Sequence, residues 1–184
     1  MRILRPVRRL APVLIAVLSV VPAATATTPP PPPTVPGLES RVRHLEAATL
    51  VREAVDHEGL RTVLERGRFV SGSERESFGR AAIFNLVTAR VLRFGTANGA
   101  TSYLRWLRRH AAASLGDPVS ISPLGFGADG FVFRPRGCGC HTETPTFLIA
   151  WRHGRNALTV VAAGPRATPK TAGVLARRLD TAVT

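Results

Sequence analysis

Residues 147–163, FLIAWRHGRNALTVVAA, constrain this chain more than any other stretch. Two apolar runs, Phe147 to Trp151 and Ala157 to Ala162, each have the length of a strand. His153-Gly154-Arg155-Asn156 between them is a tight turn with glycine at the reversal, so the segment predicts an antiparallel hairpin. Gly164-Pro165 ends the sheet. Thr168-Pro169 then supplies a cap and an N1 proline for a last helix, with Ala172, Leu175, Leu179 and Val183 facing inward. Upstream, Phe131-Val132-Phe133 reads as a short strand of the same sheet.

The clearest helix is residues 97–115. Thr96 is its N-cap, and Ala100, Tyr103, Leu104, Leu107, Ala111 and Leu115 recur at three- and four-residue steps. Arg105, Arg108 and Arg109 fall on the other side, and Gly116-Asp117-Pro118 stops the helix. Residues 39–57 also read as a helix, with Val42, Leu45, Thr49 and Val55 near one face. Leu60, Val63 and Leu64 fit a short continuation that Gly67 ends. Residues 68–77, RFVSGSERES, read as a short extended piece and a polar turn, and residues 81–94 as a segment ending in a strand. This order predicts an α+β domain, an antiparallel sheet with helices packed on one face.

The N-terminus has the pattern of a Sec-type secretory signal. Arg2, Arg5, Arg8 and Arg9 precede an apolar stretch from Leu10 to Ala24, and Ala24-Thr25-Ala26 is a small-x-small cleavage pattern. The stretch is shorter than the roughly 20 apolar residues of a membrane span, and an uncleaved anchor is the alternative. No cysteine stands near the cleavage point for lipid attachment. Residues 27–36, TTPPPPPTVP, read as a semi-rigid proline-rich spacer, leaving residues 37–184 as one domain. Expected, then, is an exported chain, secreted or held at the envelope, with no membrane span after cleavage.

Without the four leader arginines the net charge falls from +13 to +9, and residues 81–184 carry all of it. An anionic polymer or lipid would suit such a charge. Arg105, Arg108, Arg109, Arg134, Arg136, Arg152 and Arg155 are the candidate contacts. Arginine outnumbers lysine 24 to 1 in a chain rich in alanine, glycine and proline, so coding bias accounts for much of the charge. An exported protein rarely meets nucleic acid, which is not expected as a partner.

A strand ending at Phe94, then GTANGATSYLRWL, FVFRP, FLIAWRHGRNALTVVAAG and LARRLD, has a rhythm that resembles small secreted or lipid-anchored domains of actinobacteria, some with PsbP-like or kinase-ectodomain-like α+β folds. The resemblance spans about residues 80–182 and carries no catalytic signature. It implies a domain that binds a ligand or another envelope component. This chain lacks the acylated cysteine of the lipid-anchored members.

Both cysteines lie in residues 136–143, RGCGCHTE. A C-type haem needs C-x-x-C-H, and C-x-C-H is one residue short. A structural zinc site needs four ligands, and Cys138, Cys140 and His141 would need Glu143 or His153 to complete a zinc or copper set. In an oxidising compartment the even count favours a Cys138–Cys140 disulfide, with Gly137 and Gly139 giving the backbone freedom such a small ring needs. A redox dithiol using His141 and an intermolecular bridge are the alternatives. Trp106 and His110, four apart on the clearest helix, read as the edge of a core, and GFGADG (residues 125–130) as a turn. No catalytic, metal or cofactor motif can be singled out. The absence of such a motif in a compact single domain therefore points to a non-enzymatic exported domain that binds a small ligand or envelope component or serves as an accessory protein, with a thiol- or metal-centred redox protein or enzyme using Cys138, Cys140 and His141 and an anionic polymer or lipid binder as alternatives.

Overall fold

The computed structural model describes residues 28–135 and 144–183. Their elements are β1 (Glu39–Leu45), α1 (Ala47–Glu53), α2 (His57–Arg66), β2 (Phe69–Phe78), β3 (Leu86–Phe94), α3 (Ala97–Leu115), β4 (Pro118–Pro123), β5 (Ala128–Pro135), β6 (Thr146–His153), β7 (Asn156–Ala163) and α4 (Pro169–Ala182). The strands form one seven-stranded sheet in the order β1-β2-β3-β7-β6-β5-β4, every pair antiparallel. The α+β class and the antiparallel sheet are as expected. The C-terminal hairpin turns at Gly154, whose φ of 56° suits glycine, and pairs His153 with Asn156.

The helices, however, do not share one face. Leu148 and Ala150 of β6 face α1, α2 and α3, with Leu92, Phe94, Tyr103 and Leu104. Phe147, Ile149 and Trp151 of the same strand face α4, with Leu158, Val160, Ala176 and Leu179. The runs FLIAW and ALTVVA are apolar at successive residues, so both of their faces need cover. We call the α1–α3 side the front face and the α4 side the back face.

Residues 39–57 are not one helix. Residues 39–45 form edge strand β1, and two short helices follow. Val42 and Leu45 fit a helical step, yet the charges decide: Arg41 and Arg43 stand opposite Glu76 and Glu74 of β2 and bond to them. Residues 69–78, expected to be largely a turn, form the ten-residue β2. Its Ser73, Glu74 and Ser77 are buried, and the hydrogen-bond partners of Ser73 and Glu74 lie far away in sequence. Edge strand β4 was not foreseen beyond the helix stop before it; α3 carries the chain from central β3 to that far edge.

The proline segment does not stand clear of the fold over its described residues. Pro29 is fully buried and Pro32 is buried. Ser73 Oγ donates to Pro30 O at 2.9 Å, and Arg75 Nε donates to Pro32 O. Advancing two residues along β2 advances the segment by two. That match is natural, because an extended proline run rises about 3.1 Å per residue and a strand about 3.3 Å. Proline carbonyls have no ladder partner of their own and accept freely. The segment thus straps the back face beyond α4, with Val35 and Leu38 joining the core there.

Candidate functional site

The front face encloses a cavity of about 310 Å³. Thr88, Leu148, Thr159 and Val161 of the sheet form its floor. The inward stripe of α3 makes one wall and the α1–α2 pair the other. As expected, α3 spans Ala97–Leu115 with Thr96 as its cap, and Thr96 Oγ1 accepts from Gly99 N–H at 3.0 Å. Because α1 ends at Glu53 and Asp56 is the N-cap of α2, the two carboxylates flank one short connection.

Asp56 fastens that connection to α3. Its Oδ1 accepts from Gly59 N–H at 2.9 Å, capping α2. Its Oδ2 accepts from the Trp106 indole N–H at 3.0 Å and lies 3.3 Å from His110 Nε2. The His110 ring stacks on Trp106 with centroids 4.8 Å apart. The indole bond and the α2 amide hold the Asp56 carboxyl below its ordinary range. Trp106 is buried, so the two residues sit at a core edge, as the sequence suggested, and Trp106 also lines the cavity.

An ionic cluster also reaches the cavity, through Glu53 and Arg90. Arg43, Glu74 and Arg90 are directly paired neighbours on β1, β2 and β3. Glu74, 2 % exposed, accepts from Arg43 Nε at 2.5 Å and from Arg90 Nε. Glu53 accepts from Arg43 Nη1 at 2.6 Å and Nη2 at 3.1 Å, and from Arg90 Nη2 at 3.4 Å. Burial opposes ionisation of Glu74, but the two guanidiniums outweigh it and leave the carboxyl below its ordinary range. The same bonds raise Arg43 further above its ordinary value. Tyr103, buried beside Arg90, is pushed up by desolvation and stays protonated. Two guanidiniums and two carboxylates balance, so the cluster presents polarity without net charge.

These residues escaped the sequence reading. The alternation Arg41-x-Arg43 against Glu74-x-Glu76 is their one local signal, and it becomes legible only once residues 39–45 are a strand.

The arginines proposed for anion contact are dispersed. Arg105 and Arg109 line a cleft between α2 and α3. Arg108 lies over the Phe131 ring at 5.9 Å. Arg152 donates to Asp129 Oδ2 at 3.0 Å and to Gly154 O at 3.1 Å. Arg134 is exposed on β5 and Arg155 in the β6–β7 turn. Arg136 lies outside the described residues, as do Cys138, Cys140, His141 and Glu143. His153, the distant candidate ligand, has Nδ1 3.0 Å from Asp180 Oδ1, which also accepts from the Trp151 indole at 2.8 Å.

The fold has a solved counterpart. Over 79 % of this chain and 81 % of that one, it is similar to the extracellular domain of PknH from Mycobacterium tuberculosis, with a TM-score of 0.50 and 12 % identity. At that identity the likeness concerns the fold, and it falls on the kinase-ectodomain side of the resemblance read from the sequence. No family model matches the chain, and no curated protein does. Among the described residues, no helix is long and apolar enough to cross a membrane.

Proposed function

We propose that this chain is an exported, non-enzymatic domain whose front-face cavity holds a small, uncharged amphipathic ligand. The observation that carries the reading is the cavity itself: about 310 Å³, walled by apolar side chains, with a charge-balanced cluster reaching it through Glu53 and Arg90. That volume lies at the low end of small-molecule sites. An apolar body would lie along Leu107, Ala111 and Leu115, and hydroxyl or amide groups would meet Thr88, Thr159 and the Glu53–Arg90 pair. A charged head group would have to break an existing ion pair, which disfavours it. Nor do the acids suit proton transfer. A general acid at neutral pH needs a raised carboxyl pKa, and Glu74 is held the other way. Export is supported by the leader pattern and by a fold shared with an extracellular domain.

Titrating the protein with a fluorescent monoacylglycerol tests this. Saturable binding that Ala111→Phe abolishes without loss of fold is the expected result; binding indifferent to that cavity-filling change refutes the site. A Cys138–Cys140 disulfide and a cleaved leader belong to the same reading. Intact mass of the exported protein, with and without reductant and alkylation, checks both.

A further inference from the structure

On the outer side of the helices, a cleft of about 370 Å³ runs between α2 and α3. A close backbone crossing creates it. A Cβ placed on Gly99 would stand 2.3 Å from Gly67 O, so the end of α2 and the start of α3 meet with only hydrogens between them. Arg66 projects from α2, and Arg105 and Arg109, one turn apart, from α3.

These three arginines differ from those that the fold already engages. Arg41, Arg43, Arg90 and Arg152 are in ion pairs, and Arg108 and Arg177 lie over aromatic rings. Among the described residues, Arg66, Arg105 and Arg109 make no ion pair, Arg105 acts on Asp129 only through the longer-range field, and no carboxylate lines their cleft. Thr62, Asn98 and Ser102 add hydrogen-bonding groups that no described side chain or backbone group engages. Converging like charges beside unengaged hydroxyl and amide groups make a site that an anion completes.

We infer that the α2–α3 cleft binds a phosphate ester of a polyol. The guanidinium fork matches phosphate oxygens in bidentate geometry, and the hydroxyl and amide groups match the polyol. The assignment does not depend on the front-face cavity. It also differs from an anion-binding surface spread over residues 81–184, because Arg66 comes from residues 37–80, which are neutral overall.

The test titrates the full chain with sn-glycerol 1-phosphate and, separately, with vesicles of phosphatidylcholine with and without phosphatidylglycerol. Two triple variants remove equal charge: Arg66→Gln with Arg105→Gln and Arg109→Gln, and Arg134→Gln with Arg155→Gln and Arg166→Gln. The first should weaken binding by about tenfold or more and the second by less than about twofold, since only the first removes forked phosphate contacts. Cleft-dependent binding of both probes identifies a lipid headgroup, and of glycerol phosphate alone a soluble ester; each supports the inference. Unsaturable binding, or equal weakening by both triples, overturns it. All six arginines are exposed, so melting should change little. If the cleft triple melts early, the single Arg105→Gln and Arg109→Gln variants carry the test, each expected to cost about threefold.

Discussion

Strands β3, β6 and β7 present quite different surfaces to the two faces of the sheet. Behind, Val87, Val91, Leu158, Val160 and Ile149 meet α4 and the proline strap, and a gap of only about 20 Å³ lies beneath the strap. In front, the same strands offer Thr88, Arg90 and Thr159, and α3 with the α1–α2 pair leaves about 310 Å³. Alternation along a strand thus sorts one set of residues into a filled core and a cavity lining. The polar members explain why the front does not close. Arg90 is committed to Glu74 and Glu53, so apolar side chains cannot settle over it without desolvating the cluster.

Equal truncations should separate the faces most sharply. Leu158 is fully buried behind the sheet, and Leu158→Ala should cost about 4 kcal/mol, because the rigid surroundings keep the void. Leu107 borders the existing cavity and is only partly buried, so Leu107→Ala should cost about 1.5 kcal/mol. Urea unfolding of both variants decides. Equal losses would mean that the front is packed as tightly as the back.

The ionic cluster gives the next largest effect. Glu74→Gln leaves Arg43 and Arg90 facing a neutral amide and should cost about 3 kcal/mol near neutral pH, within the range for breaking a buried pair whose cations still reach solvent. The pH dependence has a definite sign. The folded-state pKa of Glu74 lies below its ordinary 4.5, so its contribution is complete above that value and is lost as pH falls through the lower, folded one. The parent protein should therefore lose stability below about pH 4.5, and Glu74→Gln should flatten that limb. Parallel acid limbs would show that Glu74 titrates alike in the folded and unfolded chain.

What the sequence revealed follows the same division. The back face and the inward stripe of α3 were legible because their signal is apolar periodicity within one segment: Phe147 to Trp151, Leu158 to Ala162, Tyr103 to Leu115. β1 and β2 were not, because polar residues line them. Ser73 is satisfied by Pro30, Glu74 by Arg43 and Arg90, and Arg41 by Glu76, across 16 to 43 residues. A buried polar residue signals its position only through its partner, and spacing cannot supply partners from another strand. The cavity was hidden for the same reason, since the ionic cluster that reaches it is assembled from β1, β2, β3 and α1.

The strap provides a smaller test. A chain starting at residue 34 loses two hydrogen bonds and two buried prolines relative to one starting at residue 28. It should be less stable by about 2 kcal/mol, at about 1 kcal/mol per hydrogen bond with burial largely offset by the entropy of ordering the segment. Coincident urea midpoints would show that the prolines only rest on β2.

The smallest effect falls where the strap's bonds end. Ser71, Ser73 and Arg75 form one row on the back of β2, and the last two reach Pro30 and Pro32. Ser71 Oγ is buried with no partner among the described residues. An unmade bond already costs the hydroxyl its hydration, so Ser71→Ala should be neutral or stabilising by up to about 1 kcal/mol. Ser73→Ala should instead cost about 1 kcal/mol, losing the bond to Pro30 O. Thermal melts of the two variants, one position apart in the same row, measure how far along β2 the strap is engaged. A cost at Ser71 equal to that at Ser73 would extend the row of bonds by one step towards the N-terminus.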